Sequence, residues 1–264
     1  MLTKIVGRLK KYAIIGSLFL STAFPGTALA NDITIGCRGP TNFQVDGRIT
    51  YSEKGEEIDR EETTTKTTNE LLMLKYWNGD NIGTWAFVKL PYKTVSNNEG
   101  FSYGTNDISV GLGPRGKIPI GDGSFNFLSY GALTFPTGKL GNQRLDASIG
   151  LNYTFLTPGN TFDIDGTLNY TFTGESVDEN GEVYNPPNVF SYGLVAGGQP
   201  FDGIRLAGGF TGKTTGKDEQ GNTNTSINGR GVVRFIFSPQ FHMEIMGDVG
   251  EDYQAVTVLG RVNP

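Results

Sequence analysis

The 264-residue sequence is short of several things that many folds depend on. It holds one cysteine, Cys37, so no intramolecular disulfide can form, and a free or buried thiol is the plain reading. It holds one histidine, His242, too few for a His-rich metal centre. Past residue 30 it has no apolar run long enough for a transmembrane helix. Windows of helical period are few, whereas glycine is abundant (38 residues) and aromatics make up 11%. Basic residues are also scarce once the first thirty positions are set aside. Those positions carry four of the 22 Lys and Arg residues and none of the 27 Asp and Glu. Eighteen basic residues then face 27 acidic ones, a net charge of −9. An acidic exported chain is a poor nucleic-acid binder, and no nucleic-acid partner is expected.

The first thirty residues, "MLTKIVGRLKKYAIIGSLFLSTAFPGTALA", read as a segment apart. Lys4, Arg8, Lys10 and Lys11 precede an apolar run from Ala13 to about Phe24, and Ala28-Leu29-Ala30 forms an A-x-A cleavage pattern. This is the layout of a secretory signal peptide, with cleavage expected before Asn31. One domain is expected over 31–264.

What that remainder does have is alternation. In "LNYTFLTPGNTFDIDGTLNYTF", residues 151–172, apolar side chains fall at every second position on both sides of a Pro-Gly turn. Similar segments predict twelve strands: 41–53, 66–77, 82–92, 106–117, 124–136, 144–156, 160–173, 188–198, 203–213, 225–237, 240–249 and 252–262. In 66–77 and 252–262 both faces look mixed. The connections alternate as well. Short ones (78–81, 118–123, 157–159, 199–202, 238–239) separate long ones (54–65, 93–105, 137–143, 174–187, 214–224). Only the last, around Glu251, is short where a long one is due. One rim of tight turns and one of extended loops is the asymmetry of outer-membrane barrels. The fold class expected is all-β: a single antiparallel transmembrane β-barrel of about twelve strands, with both termini at the periplasmic rim.

Alternation by itself does not say which face is inside, because a soluble barrel has the same period with its faces reversed. Three features favour an apolar face turned to lipid. Ionisable residues sit in mid-strand on the polar set and are nearly missing from the apolar set. A closed barrel of about twelve strands is too wide for side chains to fill with an apolar core. Aromatics gather at strand ends in two belts, Phe125, Phe127, Phe155, Phe162, Phe235, Phe237 and Phe241 at one rim and Tyr51, Tyr92, Phe135, Tyr170, Phe172, Phe190, Tyr192 and Phe210 at the other. Closure follows, because an unpaired backbone N–H or C=O in hydrocarbon costs several kcal/mol. The expected location is the bacterial outer membrane, with its lipid and lipopolysaccharide as surroundings.

The segment "NDISVGLGPRGKIPIGDGSFNFLSYGALTFPTGK", residues 106–139, carries a family likeness. With its strand, short turn and closing Pro136-Thr137-Gly138, it resembles the outer-membrane proteins associated with the meta-pathway of phenol degradation. The likeness extends over roughly residues 100–240. It implies a porin-like role or transport of hydrophobic or aromatic compounds. The chain departs from outer-membrane barrels generally in ending "VLGRVNP", without a terminal aromatic residue.

If the polar set faces an enclosed axis, that axis is charged. Asp146, Asp163 and Asp165 lie on adjoining strands, followed by Arg205, then Arg230 and Arg234, then His242, Glu244 and Asp248. Asp46 and Arg48 return from the first strand, and Asp107 and Arg115 come from the fourth. Two readings stay open: a water-filled pore for a small solute, whose opposed charges set up a transverse field, or a salt-bridged network that plugs the barrel and leaves the loops to bind a partner. Catalysis finds little support. His242 has Glu244 on its face but no serine near it in sequence, and Ser148, elsewhere on the wall, has nothing specific in its favour. No enzyme activity, metal or cofactor is expected. Six acidic residues in 53–62 read as a solvated loop. Nothing in the sequence specifies an oligomeric state.

Overall fold

The computed structural model describes residues 42–58, 61–79, 81–97, 100–140, 144–158, 162–177, 183–217, 223–238, 240–251 and 253–263. The expected signal peptide, its cleavage point and Cys37 lie outside the described residues. The strands are β1 (Phe43–Ile58), β2 (Glu61–Trp77), β3 (Ile82–Asn97), β4 (Gly100–Thr105), β5 (Ile108–Ile120), β6 (Gly123–Phe135), β7 (Asp146–Leu156) and β8 (Phe162–Phe172). After them come β9 (Ser176–Val177), β10 (Val183–Tyr184), β11 (Val189–Phe201), β12 (Ile204–Thr215), β13 (Thr225–Ser238), β14 (Phe241–Val249) and β15 (Tyr253–Val262).

Twelve of these strands form one closed antiparallel barrel. Its order follows the chain from β1 through β2, β3, β5, β6, β7, β8, β11, β12, β13 and β14 to β15, and β15 then pairs with β1 from Val45↔Val262 to Lys54↔Tyr253. Closure leaves no strand edge to satisfy, which is what a sheet of this length needs where water cannot reach it. The last strand closes the ring without a terminal aromatic side chain. The remaining strands are accessory. β4 continues the line of β5 along β3 across Asn106-Asp107, with an offset of one residue (Tyr92↔Thr105 but Lys89↔Ser109). β9 and β10 form a two-residue ribbon inside the β8–β11 connection.

The five connections expected to be short (78–81, 118–123, 157–159, 199–202 and 238–239) fall at one rim, while the links β1–β2 and β14–β15 at the other rim are short as well. Two of the five are two-residue turns: Gly121-Asp122, closed by Ile120↔Gly123, and Asp202-Gly203, closed by Phe201↔Ile204. Gly121 (φ 57°) and Gly203 (φ 75°) supply the left-handed backbone that such turns need, at no steric cost.

The segments 54–65 and 93–105, expected as loops, are mostly paired strand. β1 runs to Ile58 and pairs to the end with β2 from Glu61, while β3 runs to Asn97 and pairs with β4. The sequence of 54–65 shows no apolar alternation, and in 93–105 only Phe101 and Tyr103 keep one. Strands of 16 or 17 residues outreach the 9–11 residues needed to span hydrocarbon. A wall between hydrocarbon and water enforces alternation only over that depth, whereas a backbone ladder can continue past it. The ribbon β9–β10 likewise interrupts the expected loop at 174–187.

The packing is inverted relative to a soluble protein. Large apolar side chains stand exposed on the outer face, among them Leu112 (69% exposed), Leu168 (41%) and Phe201 (67%), while charged residues occupy buried positions. Outward aromatics meet at both rims. Phe235, Phe237 and Phe241 stack at the short-turn rim, with centroids 6.3 and 5.2 Å apart, and Phe190, Tyr192 and Phe210 meet at the loop rim, with centroids 5.5 and 6.5 Å apart.

Candidate functional site

Register decides what the barrel encloses. Directly opposed residues share a face. The pairs Asp46↔Arg261, Arg261↔His242 and Glu244↔Leu259 therefore put one continuous set of side chains inside. The thirteen charged positions singled out from the sequence all lie on this inner set. Asp46, Asp107, Arg115, Asp146, Asp163, Arg205, Arg234, His242, Glu244 and Asp248 are buried, and Arg48, Asp165 and Arg230 are half-buried.

The interior has three parts, two of them built from these charged residues. The first is a belt of ion pairs in the half nearer the short turns. Lys75 Nζ lies 2.6 Å from Asp46, and Arg261 lies 3.6 Å from Asp46 and 3.2 Å from Glu244. Arg234 donates to the same Glu244 oxygen from Nε (3.0 Å) and Nη2 (2.6 Å). On the next sector Arg205 donates from Nε to Asp163 at 2.7 Å, makes a second contact from Nη2 to the other Asp163 oxygen, and reaches Asp165 at 3.0 Å. Asp165 also accepts from the Thr154 hydroxyl at 2.6 Å. Higher up, Arg230 engages Asp248 with both Nε (2.7 Å) and Nη2 (2.9 Å). Bidentate arginine–carboxylate forks of this kind fix side-chain direction as well as supplying energy.

The second group latches the ends of the barrel. Asp107 accepts from the backbone N–H of Gly138 (3.1 Å), and the Thr137 hydroxyl accepts from Ile108 N–H (3.0 Å). Together they fold the Pro136-Thr137-Gly138 segment back onto the start of β5. Asp146 pairs with Arg144 (2.8 Å) and accepts from Gly174 N–H (3.0 Å), tying two loops together. Arg115 works at the opposite rim, where it donates to the Gly79 carbonyl (2.7 Å) and stands over the Trp77 ring. The structure thus gives Asp107, Asp146 and Arg115 anchoring contacts, distinct from the belt.

The third feature was not expected. The β3–β6 sector presents an apolar, aromatic patch to the interior. Trp85, Phe87 and Leu128 are buried there, with Met73, Trp77, Tyr130 and Ala132 packed around them. Trp85 and Phe87 lie 5.0 Å apart by ring centroid, and each meets Tyr130 edge-on, at 5.7 and 5.4 Å. Trp85 Nε1 donates to the Ser129 carbonyl (2.8 Å) and the Tyr130 hydroxyl to Asn169 (3.1 Å), so the wall is held in place.

Between the ionic belt and the aromatic patch lies open space. One cavity of about 400 Å³ is bounded by both, and a second of about 360 Å³ continues toward the loop rim. Arg48, Leu71 and Lys89 line both cavities. Seven lining residues of the larger cavity are basic and three are acidic. Asp163 and Asp248, which pair with Arg205 and Arg230 from outside the cavity, raise the acidic count to five. The surplus consists of Arg48 and Lys89, neither of which has an ion pair among the described residues.

Four basic residues of the site escaped the sequence reading: Lys75, Lys89, Arg144 and Arg261. Lys75 and Arg261 stand on the two strands whose faces looked mixed, where an inward charge is hard to tell from an outward one. His242 is fully buried, and neither ring nitrogen has a hydrogen-bond partner among the described residues. It sits at the short-turn end of its strand, while Ser148 lies in the loop half of β7 opposite Thr171, so no hydroxyl–imidazole pair is formed. Among the described residues no three potential metal ligands come together.

A closed twelve-stranded antiparallel barrel, charged within and greasy without, is the architecture of outer-membrane β-barrels, and solved structures of that class superpose on it. An outer membrane channel from Pseudomonas putida F1 matches with a TM-score of 0.68 and 14% identity, covering 91% of this chain and 99% of its own. The NanC porin matches at 0.53 and 13%, covering 83% and 100%, and the KdgM porin at 0.51 and 7%, covering 84% and 99%. At these identities the likeness is one of fold. In sequence the chain matches no family model and no curated protein.

Proposed function

We propose that the protein is an outer-membrane channel through which small solutes diffuse passively. The observation that carries this reading is the open space of about 400 Å³ inside a closed barrel whose buried face is charged and whose exposed face is apolar. A wall built for lipid needs no polar interior unless water or a polar solute occupies it. In this reading the first thirty residues are a cleaved export signal, the outer face meets lipid and lipopolysaccharide, and no catalytic step or cofactor is involved. The thirteen charged positions then serve unequally. The belt residues set the field along the path, and Asp107, Asp146 and Arg115 shape its ends. The likeness of residues 106–139 to the phenol meta-pathway group supports aromatic or hydrophobic solutes, and so does the inward patch of Trp85, Phe87 and Tyr130.

A specific observation favours a second reading. The ion pairs from Lys75 to Arg234 form a bonded chain across neighbouring strands, as a plug would. Single-channel recording in a planar lipid bilayer decides between the two. The channel reading expects discrete conductance steps in simple salt. Their absence over a range of salts and voltages would leave the structural barrel as the better account.

A further inference from the structure

We infer that the larger cavity is a binding site for a small organic anion with a flat apolar body, such as an aromatic carboxylate. The inference rests on the lumen being the solute path and adds the chemistry of what is held there. Two independent observations meet in it. One is the charge balance. Every other basic residue lining the cavity has an acidic partner, while Arg48 and Lys89 have none among the described residues, where the buried Arg48 Nε also finds no acceptor. A guanidinium held in a barrel interior without a direct ion pair is costly, and an entering carboxylate can relieve that cost with charge-assisted hydrogen bonds.

The other observation is placement. Arg48 lies opposite Leu71, and Lys89 opposite Met73, two residues along the same face of β2. The two cations therefore stand one strand to either side of β2 and two residues apart along it, about 12 Å apart at the backbone by the usual strand spacing and rise, flanking an apolar floor. Beyond Lys89 on the same strand follow Phe87, with its ring centroid 4.9 Å from Lys89 Nζ, and Trp85. A ligand with its carboxylate at Arg48 and Lys89 lays its ring along this aromatic wall. The cavity, about 400 Å³, falls in the usual range for small-molecule sites. A fully hydrated inorganic anion satisfies the cations but leaves the wall unused. A neutral ring does the reverse.

Only two tryptophans occur in the chain, Trp77 and Trp85, so Trp85 can serve as a local reporter once Trp77 is replaced. The test is a titration of Trp85 emission in purified, detergent-folded Trp77→Phe protein with benzoate, acetate, benzyl alcohol and benzylammonium. Benzoate is expected to give a saturable change, with the other three at least about tenfold weaker. Arg48→Ala and Lys89→Ala should each weaken benzoate by about tenfold or more, the loss of one charge-assisted bond. Lys213→Ala, which removes an inward lysine away from both cavities, should leave Kd unchanged. Equal binding of acetate or benzyl alcohol, no saturable benzoate signal, or undiminished binding in both Arg48→Ala and Lys89→Ala overturns the proposal. Because gel mobility before and after heating verifies folding for each variant, loss of binding in a folded barrel is interpretable. Bilayer recording is kept separate. Conductance without benzoate binding removes this inference alone, whereas binding without conductance removes the channel reading and leaves the site.

Discussion

Replacing Leu168 with arginine puts a charge at the middle of β8 on the exposed face, where the side chain is 41% accessible and pairs across to Leu151. In a bilayer that position lies near mid-depth, about five residues from either end of an 11-residue strand. An arginine there should destabilise the folded barrel by about 2–4 kcal/mol, or roughly 30- to 700-fold in the ratio of folded to unfolded protein. Ile120→Arg is the matched control. Ile120 is 50% exposed on the same outer face, but it sits in the last residue of β5 beside a two-residue turn. At that depth the same charge should cost only about 0–1 kcal/mol. The assay is reversible urea unfolding from lipid vesicles, followed by Trp77 and Trp85 emission, with heat-modifiable gel mobility as a check on closure. The difference between the two variants, about 1–4 kcal/mol, is the quantity of interest, since both lose an apolar side chain and gain the same cation. Equal, small effects at both positions would refute the lipid-facing assignment. So would a Leu168→Arg protein that stays in solution without detergent.

Three further outcomes follow from the interior. Glu244→Ala strips Arg234 and Arg261 of a shared acceptor and should destabilise by about 3–5 kcal/mol in the same unfolding assay. A loss under about 1 kcal/mol would mean that water readily replaces the carboxylate. Arg230→Ala combined with Arg234→Ala removes two positive charges beside the larger cavity and should shift the reversal potential toward cation permeability in a salt gradient. An unchanged reversal potential would exclude both from the ion path. Asp107→Ala removes the acceptor for Gly138 N–H. Hydrogen exchange at Gly138 should accelerate with little change in global stability, and unchanged exchange would show that the latch is dispensable.

The twelve barrel strands were legible because a wall between lipid and water enforces period two wherever it is thin. All twelve were found, and the boundaries that moved most did so where that enforcement ends, at Ile58, Glu61 and Asn97. There the sequence no longer alternates, and only cross-strand pairing reveals a strand. The ionic half of the interior was legible for the same reason, since Asp163, Arg205 and Glu244 interrupt an apolar alternation. The aromatic patch was not. An inward Trp85 or Phe87 beside an outward Ala86 or Val88 looks like a run with no preferred side, and β2, with Leu71, Leu72, Met73 and Leu74 in succession, is ambiguous in the same way. Pairings such as Asp46–Lys75 and Glu244–Arg261 depend on which strands become neighbours around the ring. Local alternation does not encode that.

The seam between β1 and β15 also bears on how the protein is made. Val45 pairs with Val262, so the first barrel strand in the chain keeps one edge open until the last one arrives. Pairings so distant along the chain form slowly, and the exposed first edge is a template for wrong partners throughout that delay. Until the ring closes, an unfinished sheet carries two sticky margins, and a chain broken off before Tyr253 would keep both.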